Sequence, residues 1–373
     1  MRIGFDAKRA FNNHRGLGNY SRDTIRIMSS SFPENQHFLY TPKIDKSISF
    51  DCPGNAQIIL PSNKIDRSLS ALWRSFGMVS EIKKENIDVF HGLSHELPWG
   101  IEKTKARSIV TMHDLIFIKQ PELYPAFDRK MYKLKYFHSC KIADKVIAIS
   151  EQTKQDLVEF ANVNESKIHV VYQGCSPIFQ HKCNDEKKQH VRLKYNLPEN
   201  FMLNVGAVER RKNQILILKA MKANNIDLPL VIIGKETEYA KTLRDFIISN
   251  NMQKKVLMLH HVDFLDFPTI YQSASLFIYP SLSEGFGIPI IEALHSNVPV
   301  ITSNEACLKE SGGAGSRYVS LNDETDLANA IEKILCDQNL QQEMIGKGKE
   351  HVKKFSDATI AKSLMDIYLS LSR

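Results

Sequence analysis

Residues 276–294 read LFIYPSLSEGFGIPIIEAL, and this stretch contains a complete strand, turn and helix. The apolar run LFIY, which ends at Pro280, is typical of a strand that is covered on both faces. The turn that follows carries Glu284 and two glycines, and Pro289 suits the first turn of a helix. A buried strand that leads directly into a helix is the repeating unit of parallel α/β sheets, so the stretch predicts that fold class.

The same pattern recurs along the whole chain. Short apolar runs bounded by turns alternate with helical stretches such as residues 70–86 and 214–224. The predicted strands are RIGFDA (2–7), QIILP (57–61), DVFHG (88–92), SIVTMHD (108–114), KVIAIS (145–150), FMLNVGA (201–207), PLVIIGK (229–235), KVLMLHH (255–261), LFIYPS (276–281) and PVITSN (299–304). This alternation predicts α/β architecture with Rossmann-like parallel sheets.

The alternation breaks once, in the polar residues 178–200, which end in a proline-containing turn. We predict the domain junction there, with a first domain over residues 1–178 and a second over residues 200–355. A last helix follows at about residues 356–373, and Ser356 suits its N-cap. A length of 373 residues agrees with two domains.

Composition narrows the class of protein. Apolar residues make up 43% and charged residues 24% of the chain, as in ordinary globular proteins. No apolar run reaches the length of about 18 residues that a membrane span needs. The sequence begins with a strand instead of the apolar core of a secretory signal, so we expect a cytoplasmic protein. The six cysteines form no CxxC pair and no zinc-binding spacing, which favours isolated reduced thiols.

The positive charge is concentrated in the first half of the chain. Residues 1–180 hold 25 Lys and Arg against 19 Asp and Glu, which gives +6 of the net +7. Such surfaces attract anionic membranes, nucleic acids or phosphorylated ligands, although a solvated helix face is the alternative. Because aromatic and basic residues do not interleave in a nucleic-acid motif, we do not expect nucleic-acid binding.

Glycines follow the first predicted strand. Gly16 and Gly18 precede a helix that we predict from about Asn19. A glycine turn at the N-terminus of a helix is a ready anion site, although it often marks only a tight turn.

Two histidines stand at the ends of predicted strands, where parallel sheets bind ligands. His113 and Asp114 end the strand 108–114, and His113 is placed to hydrogen-bond a substrate hydroxyl or to transfer a proton. His91 has an analogous position and is a candidate for an acceptor pocket. For each histidine the alternative is a structural residue bonded to the backbone.

The second half carries charged residues after its strands. Arg211 and Lys212 follow the strand 201–207, where two cations can neutralise a diphosphate, with a surface helix start as the alternative. Glu284 can accept hydrogen bonds from ligand hydroxyls. Glu292 can hold a vicinal diol such as a ribose, with the helix dipole as the alternative reason for its position. Gly285 leaves a backbone N–H open to a ligand, as does the glycine two residues later.

Together these motifs resemble the retaining GT-B glycosyltransferases of family 4. The E-x7-E pattern is met by Glu284 and Glu292, and ERRKN (209–213) resembles the basic motif of the second domain. Further resemblance lies in HDLIFIKQPELYP (113–125), ISEQTKQDL (149–157) and KESGGAGSRYV (309–319), so that it covers nearly the whole chain.

The resemblance implies two Rossmann-like domains facing a central cleft, with a nucleotide-sugar donor held by the second domain. Arg211 and Lys212 would bind the diphosphate, Glu292 the ribose and Glu284 the sugar, with His113 near the reacting carbon. His91 and Asp114 fall on the acceptor side. Further donor contacts would come from Gly16, Gly18, Gly206, Val262, Gly285, Phe286, Gly287 and Ile288. The last helix would cross back to the first domain.

One position departs from the family pattern. Many members carry an arginine where this chain has Ala207, and Arg211 would supply the missing charge, as in members that read like EPRKN. That subgroup is rich in mannosyltransferases, which favours a GDP-linked donor over a UDP-linked one.

The resemblance also suggests a mechanism. Retention of configuration is implied by the family, and no carboxylate is obviously placed as a nucleophile. We therefore expect a front-face route in which the leaving diphosphate helps to deprotonate the acceptor. No DxD motif is present, so we expect no metal ion and no cofactor.

The expected activity is hexosyl transfer to a saccharide or lipid-linked saccharide in cell-surface polysaccharide synthesis. Peripheral contact with the anionic inner face of the membrane would follow. A nucleotide-sugar epimerase of the same architecture and a non-catalytic sugar-nucleotide-binding protein are the alternatives.

Overall fold

The computed structural model describes residues 1–48, 50–62 and 69–371. The chain forms two compact units. The first contains Met1–Gly174 together with the chain from Phe355 onward, and the second is Cys175–Lys354. The sequence predicts these boundaries within residues 178–200 and at 355–356, so the observed first boundary lies slightly earlier. The final residues of the predicted last helix, 372 and 373, lie outside the described part of the chain.

The first unit is built on a parallel sheet of seven strands in the order β3-β2-β1-β4-β5-β6-β7. The strands are β1 Arg2–Asp6, β2 Gln36–Tyr40, β3 Ala56–Ile59, β4 Val89–Gly92, β5 Arg107–Met112, β6 Lys145–Ala148 and β7 Ile168–Val170. Strand β1 pairs with β2 on one side, where Ile3 lies opposite His37, and with β4 on the other. The chain order therefore reverses between β1 and β4, which is where sheets of this kind bind ligands.

The second unit has a parallel sheet of six strands in the order β10-β9-β8-β11-β12-β13. The strands are β8 Met202–Val205, β9 Leu230–Ile233, β10 Val256–Leu259, β11 Leu276–Tyr279, β12 Val300–Ser303 and β13 Ser316–Val319. Here the order reverses between β8 and β11, which pair at Leu203 and Phe277.

Helices connect the strands in both units. In the first unit the α-helices are Lys8–Asn12, Gly16–Ser31, Ser70–Leu72, Met78–Lys84, Ile116–Lys119, Ala126–Ile142, Glu151–Ala161 and Asp357–Leu371, and a π-helical turn, Trp73–Gly77, lies between the third and fourth. In the second unit they are Asp185–Tyr195, Gln214–Ala223, Ala240–Ser249, Phe267–Ser273, Ile288–His295, Ala306–Gly312, Glu324–Cys336 and Gln338–Val352. The predicted cap is in place, since Ser356 accepts from Thr359 N, and Ser150 likewise accepts from Thr153 N.

The predicted fold class is confirmed, because both sheets are parallel and helices connect their strands. All ten predicted strands are present, and the apolar residues of the central strands are buried, whereas the edge strands β3 and β10 are largely half-buried. Three further strands, β2, β7 and β13, were not predicted. The polar segment 178–200 contains the helix Asp185–Tyr195, which packs on Phe267–Ser273 within the second unit.

The last helix belongs to the core of the first unit. Ile360, Leu364 and Tyr368 pack in the same apolar cluster as Ile3 and Phe5 of β1. At its N-terminus, the carboxylate of Asp357 accepts a hydrogen bond of 2.7 Å from Arg26. The helix is thus an integral layer of this unit, although the second unit separates it in sequence from the rest.

Candidate functional site

The two charged segments of the second unit meet at the carboxyl ends of β8 and β11. Arg211 and Lys212 lie in a 3-10 turn after β8, and Glu284 lies in the loop after β11. Leu282 N donates to the carbonyl oxygen of Arg211 at 2.8 Å, which ties the two loops together. Neighbouring strands therefore bring together side chains that are more than 70 residues apart in sequence.

Glu284 is the centre of this cluster. Its Oε1 accepts from Lys212 Nζ at 2.5 Å, from Ser281 Oγ at 2.5 Å and from the Tyr279 hydroxyl at 2.9 Å. Its Oε2 accepts from Arg211 Nη1 at 2.6 Å. Four donors thus fix one carboxylate, and two of them carry a positive charge.

The charges determine the protonation state of Glu284. Burial would raise the pKa of its carboxyl group, but Lys212 and Arg211 outweigh burial and lower that pKa to about 2. Glu209 adds a second carboxylate, which accepts from Arg211 Nη2 at 2.7 Å. Two basic side chains and two carboxylates therefore meet in this cluster.

Both cations keep further hydrogen-bonding capacity. Lys212 Nζ donates to Glu284 and, at 2.6 Å, to the Tyr279 hydroxyl, although an ammonium group has three donors. Arg211 uses Nη1 for Glu284 and the carbonyl oxygen of Ser283, and Nη2 for Glu209. Since a guanidinium has five N–H donors, the pair can bind an anion without giving up Glu284.

The turn after Glu284 leads into the helix Ile288–His295, as predicted. Gly287 is the N-cap residue and has a φ of 120°, a conformation that favours glycine. A Cβ at Gly287 would lie 2.8 Å from Ser311 Oγ and 2.9 Å from a methyl group of Leu308. Phe286 is buried, and Ile288 begins the helix, so its N–H has no acceptor within the helix.

The remaining predicted donor residues surround the same edge of the sheet. Glu292 lies in the second turn of the helix, where its Oε2 accepts from the Tyr271 hydroxyl at 2.8 Å. Gly206 follows β8 directly and Val262 follows β10. The structure therefore brings the predicted donor-binding residues of the second unit to the carboxyl ends of β8, β10 and β11.

In the first unit, His113 lies directly after β5, but its ring is already engaged. Nε2 lies 2.9 Å from the carbonyl oxygen of Leu93, and Nδ1 lies 3.4 Å from Gln173 Nε2. Burial, with a contribution from His95, lowers the pKa of His113 to about 3, so the ring is neutral at pH 7. A substrate hydroxyl can donate to Nδ1 only in exchange for Gln173, and the ring is a poor general acid.

His91 occupies a structural position that does not suit the predicted acceptor pocket. It lies within β4, is fully buried, and its Nδ1 is 2.7 Å from the Tyr368 hydroxyl of the last helix. Its Nε2 is 2.7 Å from Thr111 Oγ1. Both ring nitrogens are therefore used inside the core, which leaves no polar atom of this ring for an acceptor.

The glycines after β1 lie inside a helix and not before it. The helix begins at Gly16, three residues earlier than predicted, so Gly16 and Gly18 form its first turn. A Cβ at Gly18 would lie 1.8 Å from the carbonyl oxygen of Asn13, so packing alone requires this glycine. Gly16 faces open space. Asp114 Oδ1 accepts from Ile116 N at 3.1 Å, at the start of a short helix.

Several residues that hold the predicted side chains in place were not predicted from the sequence. Tyr279, Ser281 and Glu209 fix the Arg211–Glu284 cluster, and Tyr271 orients Glu292. Tyr279 and Ser281 end the strand that opened the sequence analysis, so their position was the available signal.

Within the described ranges, no group of three His, Cys, Asp or Glu side chains is arranged to hold a metal ion. The described helices also include none that is both long and apolar enough to span a membrane.

Two family descriptions match consecutive parts of the chain. "Glycosyltransferase Family 4" matches residues 33–177 and "Glycosyl transferases group 1" matches residues 185–351. The chain belongs to glycosyltransferase family 4. The cluster around Glu284 thus lies in the part that matches group 1, and His91 and His113 lie in the part that matches family 4.

Similar family members include enzymes of O-antigen synthesis. The chain is 32% identical to the O-antigen chain mannosyltransferase RfbU of Salmonella typhimurium over 60% of this chain and 60% of that protein. It is 28% identical to the O-antigen chain mannosyltransferase B of Escherichia coli over 72% of this chain and 70% of that protein. The match therefore spans less than two thirds of the length of the first relative.

Solved structures of glycosyltransferases share the fold over the whole chain. A sucrose-phosphate synthase from Thermosynechococcus elongatus has a TM-score of 0.81 at 20% identity, covering 100% of this chain and 99% of that chain. Anabaena HepE in complex with UDP and glucose has a TM-score of 0.74 at 15% identity, covering 99% and 100%. At such identities the likeness shows the fold alone, the GT-B fold of this family.

Proposed function

We propose that the protein transfers a hexose, mannose in the first instance, from a nucleoside-diphosphate sugar to a saccharide acceptor in cell-surface polysaccharide synthesis. The observation that carries the proposal is the Arg211–Lys212 pair, which Glu284 holds at the carboxyl edge of the second sheet with donors to spare. Two adjacent cations at this edge suit a diphosphate, which is the group that leaves. The mannosyltransferase names of the relatives support the sugar.

The cluster of Arg211, Lys212 and Glu284 can stabilise the negative charge that develops on the leaving diphosphate. Negative charge builds on the nucleoside diphosphate as the bond to the sugar breaks, and fixed cations stabilise that state more than the ground state. Glu284 is ionised and rigidly held, so it positions both cations, and Oε2, which among the described residues accepts from Arg211 alone, is the oxygen that can take a sugar hydroxyl. Glu292, held by Tyr271, is the candidate for the ribose. No carboxylate in this arrangement is free to act as a nucleophile, which supports a retaining front-face route.

Donor binding provides the direct test. GDP, GDP-mannose, UDP and UDP-glucose should be compared for their protection against thermal unfolding, because a ligand of the native state raises its stability. We expect GDP-linked compounds to protect most. Lys212→Ala should lose transfer and most of this protection while the circular dichroism spectrum remains native. Full transfer by the folded variant would exclude the role proposed for Lys212.

We further propose that the acceptor is lipid-linked and that the first unit visits an anionic membrane surface. The exposed face of the helix Ala126–Ile142 supports this contact. Phe127 is 73% exposed and Leu134 is 53% exposed, and both lie on the face that carries Lys130, Lys133 and Lys141. Apolar side chains interleaved with lysines suit the interface of an anionic bilayer.

A neighbouring helix extends this apolar face. Leu72 and Phe76 are more than half exposed, and the ring of Phe76 lies 6.2 Å from that of Trp99. Trp99 in turn stacks at 3.5 Å on His138 of the helix Ala126–Ile142. The exposed apolar surface is therefore continuous between the two helices.

Vesicle flotation separates a membrane surface from a protein-binding surface. The protein should float with vesicles of equal parts phosphatidylglycerol and phosphatidylcholine at low salt, and not with phosphatidylcholine alone. The triple variant Lys130→Gln, Lys133→Gln, Lys141→Gln should lose flotation. A control with three exposed lysines of the second unit changed, Lys219→Gln, Lys222→Gln and Lys241→Gln, should keep it. Equal flotation of the two triple variants would exclude this surface.

A further inference from the structure

A buried ion network includes Asp6, the last residue of β1, and therefore lies at the carboxyl edge of the first sheet. Arg74 Nε donates to Asp6 Oδ2 at 2.7 Å, and Arg74 Nη1 lies 2.7 Å from Glu96 Oε1. Glu96 Oε2 also accepts from Lys135 Nζ at 3.2 Å. Two carboxylates are thus matched by two cations, and the network has no negative charge left over.

Lys8 and Arg9 follow β1 after Ala7 and stand beside this network, whose carboxylates Asp6 and Glu96 are already ion-paired with Arg74 and Lys135. Both are half-buried, and neither forms an ion pair with any described residue. Arg9 Nε is buried and has no hydrogen-bond acceptor. Burial and the neighbouring Arg74 lower the pKa of Lys8, as expected where cations crowd together.

Besides Lys8, the charge of Arg9 reaches a group of buried rings. Burial lowers the pKa values of His95 and His113 to about 3, and Arg9 contributes to both shifts. The His95 ring lies 5.0 Å from the His113 ring and stacks at 4.4 Å on Tyr136. Arg9 therefore lies near the carboxyl edge of the first sheet, where a ligand of this sheet would bind, and the charge of Asp114 reaches the same His113 ring.

Native proteins rarely keep a buried charged donor without an acceptor, so this arrangement points to a ligand. We propose that Arg9, with Lys8, binds a phosphate or diphosphate group of the acceptor. The inference rests on the proposed function, in which the first unit holds the acceptor. A guanidinium can take two phosphate oxygens, and the second cation adds charge that a neutral saccharide would not need. Both a lipid-linked diphosphate and a soluble sugar phosphate would present this chemistry.

Arginine footprinting tests the site without any need for transfer. The full-length protein is labelled with phenylglyoxal, with and without inorganic pyrophosphate, and the labelling of each arginine is read by peptide mass spectrometry. Pyrophosphate should slow the labelling of Arg9 several-fold. The labelling of Arg107, which is exposed at the amino end of β5, should stay unchanged. Unchanged labelling of Arg9 would overturn the proposal, even if donor binding behaved as proposed.

Further ligands identify the source of the phosphate. GDP and UDP should protect Arg211 and not Arg9, and equal protection of Arg9 by either nucleotide would assign the site to the donor and overturn the proposal. Protection of Arg9 by farnesyl diphosphate in detergent would indicate a lipid-linked acceptor, and protection by mannose 1-phosphate a soluble one. Either result supports a phosphate site.

Substitution gives an independent measure. Arg9→Gln should weaken the binding of the protecting phosphate compound by roughly tenfold to hundredfold, the usual effect of losing a charge-assisted contact. The matched control Arg107→Gln should bind it normally, and both variants should bind GDP as the wild type does. If Arg9→Gln binds the phosphate compound normally, Arg9 does not hold it.

Discussion

The ion cluster at the carboxyl edge of the second sheet predicts a large effect of replacing Glu284 by glutamine. The substitution keeps the shape of the side chain and removes its charge. The pKa of Glu284 falls from 4.5 to about 2 on folding, and each pKa unit corresponds to about 1.4 kcal/mol. The lost charge should therefore cost about 3 kcal/mol of unfolding free energy at pH 7. For a unit of this size the melting temperature should fall by roughly 6–12 °C.

The pH dependence of this effect has a definite sign. The folded-state pKa is depressed, so the stabilisation is complete above pH 4.5 and is lost as the pH falls toward 2. The difference between wild type and Glu284→Gln should be constant near neutral pH and shrink below about pH 4.5. Urea unfolding should be followed by circular dichroism, because both tryptophans, Trp73 and Trp99, lie in the first unit.

Glu209→Gln is the matched control. Glu209 bonds to one nitrogen of Arg211 and its side chain is 36% exposed, whereas that of Glu284 is 10% exposed. Exposed ion pairs contribute about 0–1 kcal/mol, so this variant should lose much less stability. Equal losses in the two variants, or a loss for Glu284→Gln that does not change between pH 7 and pH 3, would refute the assignment of the stabilisation to the buried pair.

Three other expectations concern the glycine turn, the last helix and metal ions. Gly287→Ala should lower the free energy of unfolding in urea by about 1–3 kcal/mol, because φ is 120° there and a Cβ would contact Ser311. It should also weaken the protection by nucleotides. A stabilised variant would contradict the turn geometry. Tyr368→Phe should lower the free energy of unfolding by about 1–2 kcal/mol, because it leaves a buried nitrogen of His91 without its partner. Sugar transfer should stay at the wild-type rate. Lost transfer in the folded variant would restore a functional role for His91. Desalted enzyme in excess EDTA should keep full transfer activity, and a loss that manganese reverses would disprove metal independence.

The three strands that were not predicted, β2, β7 and β13, lack a continuous apolar run. The ten predicted strands contain continuous apolar runs, which can be recognised in the sequence itself. Strand β7 has three residues, β13 is half-buried at an edge of its sheet, and β2 begins with the polar pair Gln36 and His37. In these cases the neighbouring strand, and not the local composition, determines the conformation.

The candidate site was predicted residue by residue but not as an arrangement. The sequence placed Arg211, Lys212 and Glu284 after strands, yet their mutual contacts depend on β8 and β11 being neighbours, which a non-sequential strand order decides. For a similar reason, the sequence did not distinguish the structural histidine, His91, from the one at the edge of the sheet, His113. His91 points into a core completed by the distant Tyr368, whereas His113 lies one residue beyond the end of its strand.

The position of the last helix has a consequence for biosynthesis. During translation the second unit, Cys175–Lys354, is synthesised before Asp357–Leu371, so it can fold while the first unit still lacks one of its layers. Until then the apolar residues that Leu364 and Tyr368 will cover remain accessible to chaperones and proteases. A released chain truncated after residue 356 should accordingly contain a protease-resistant second unit and a protease-sensitive first one.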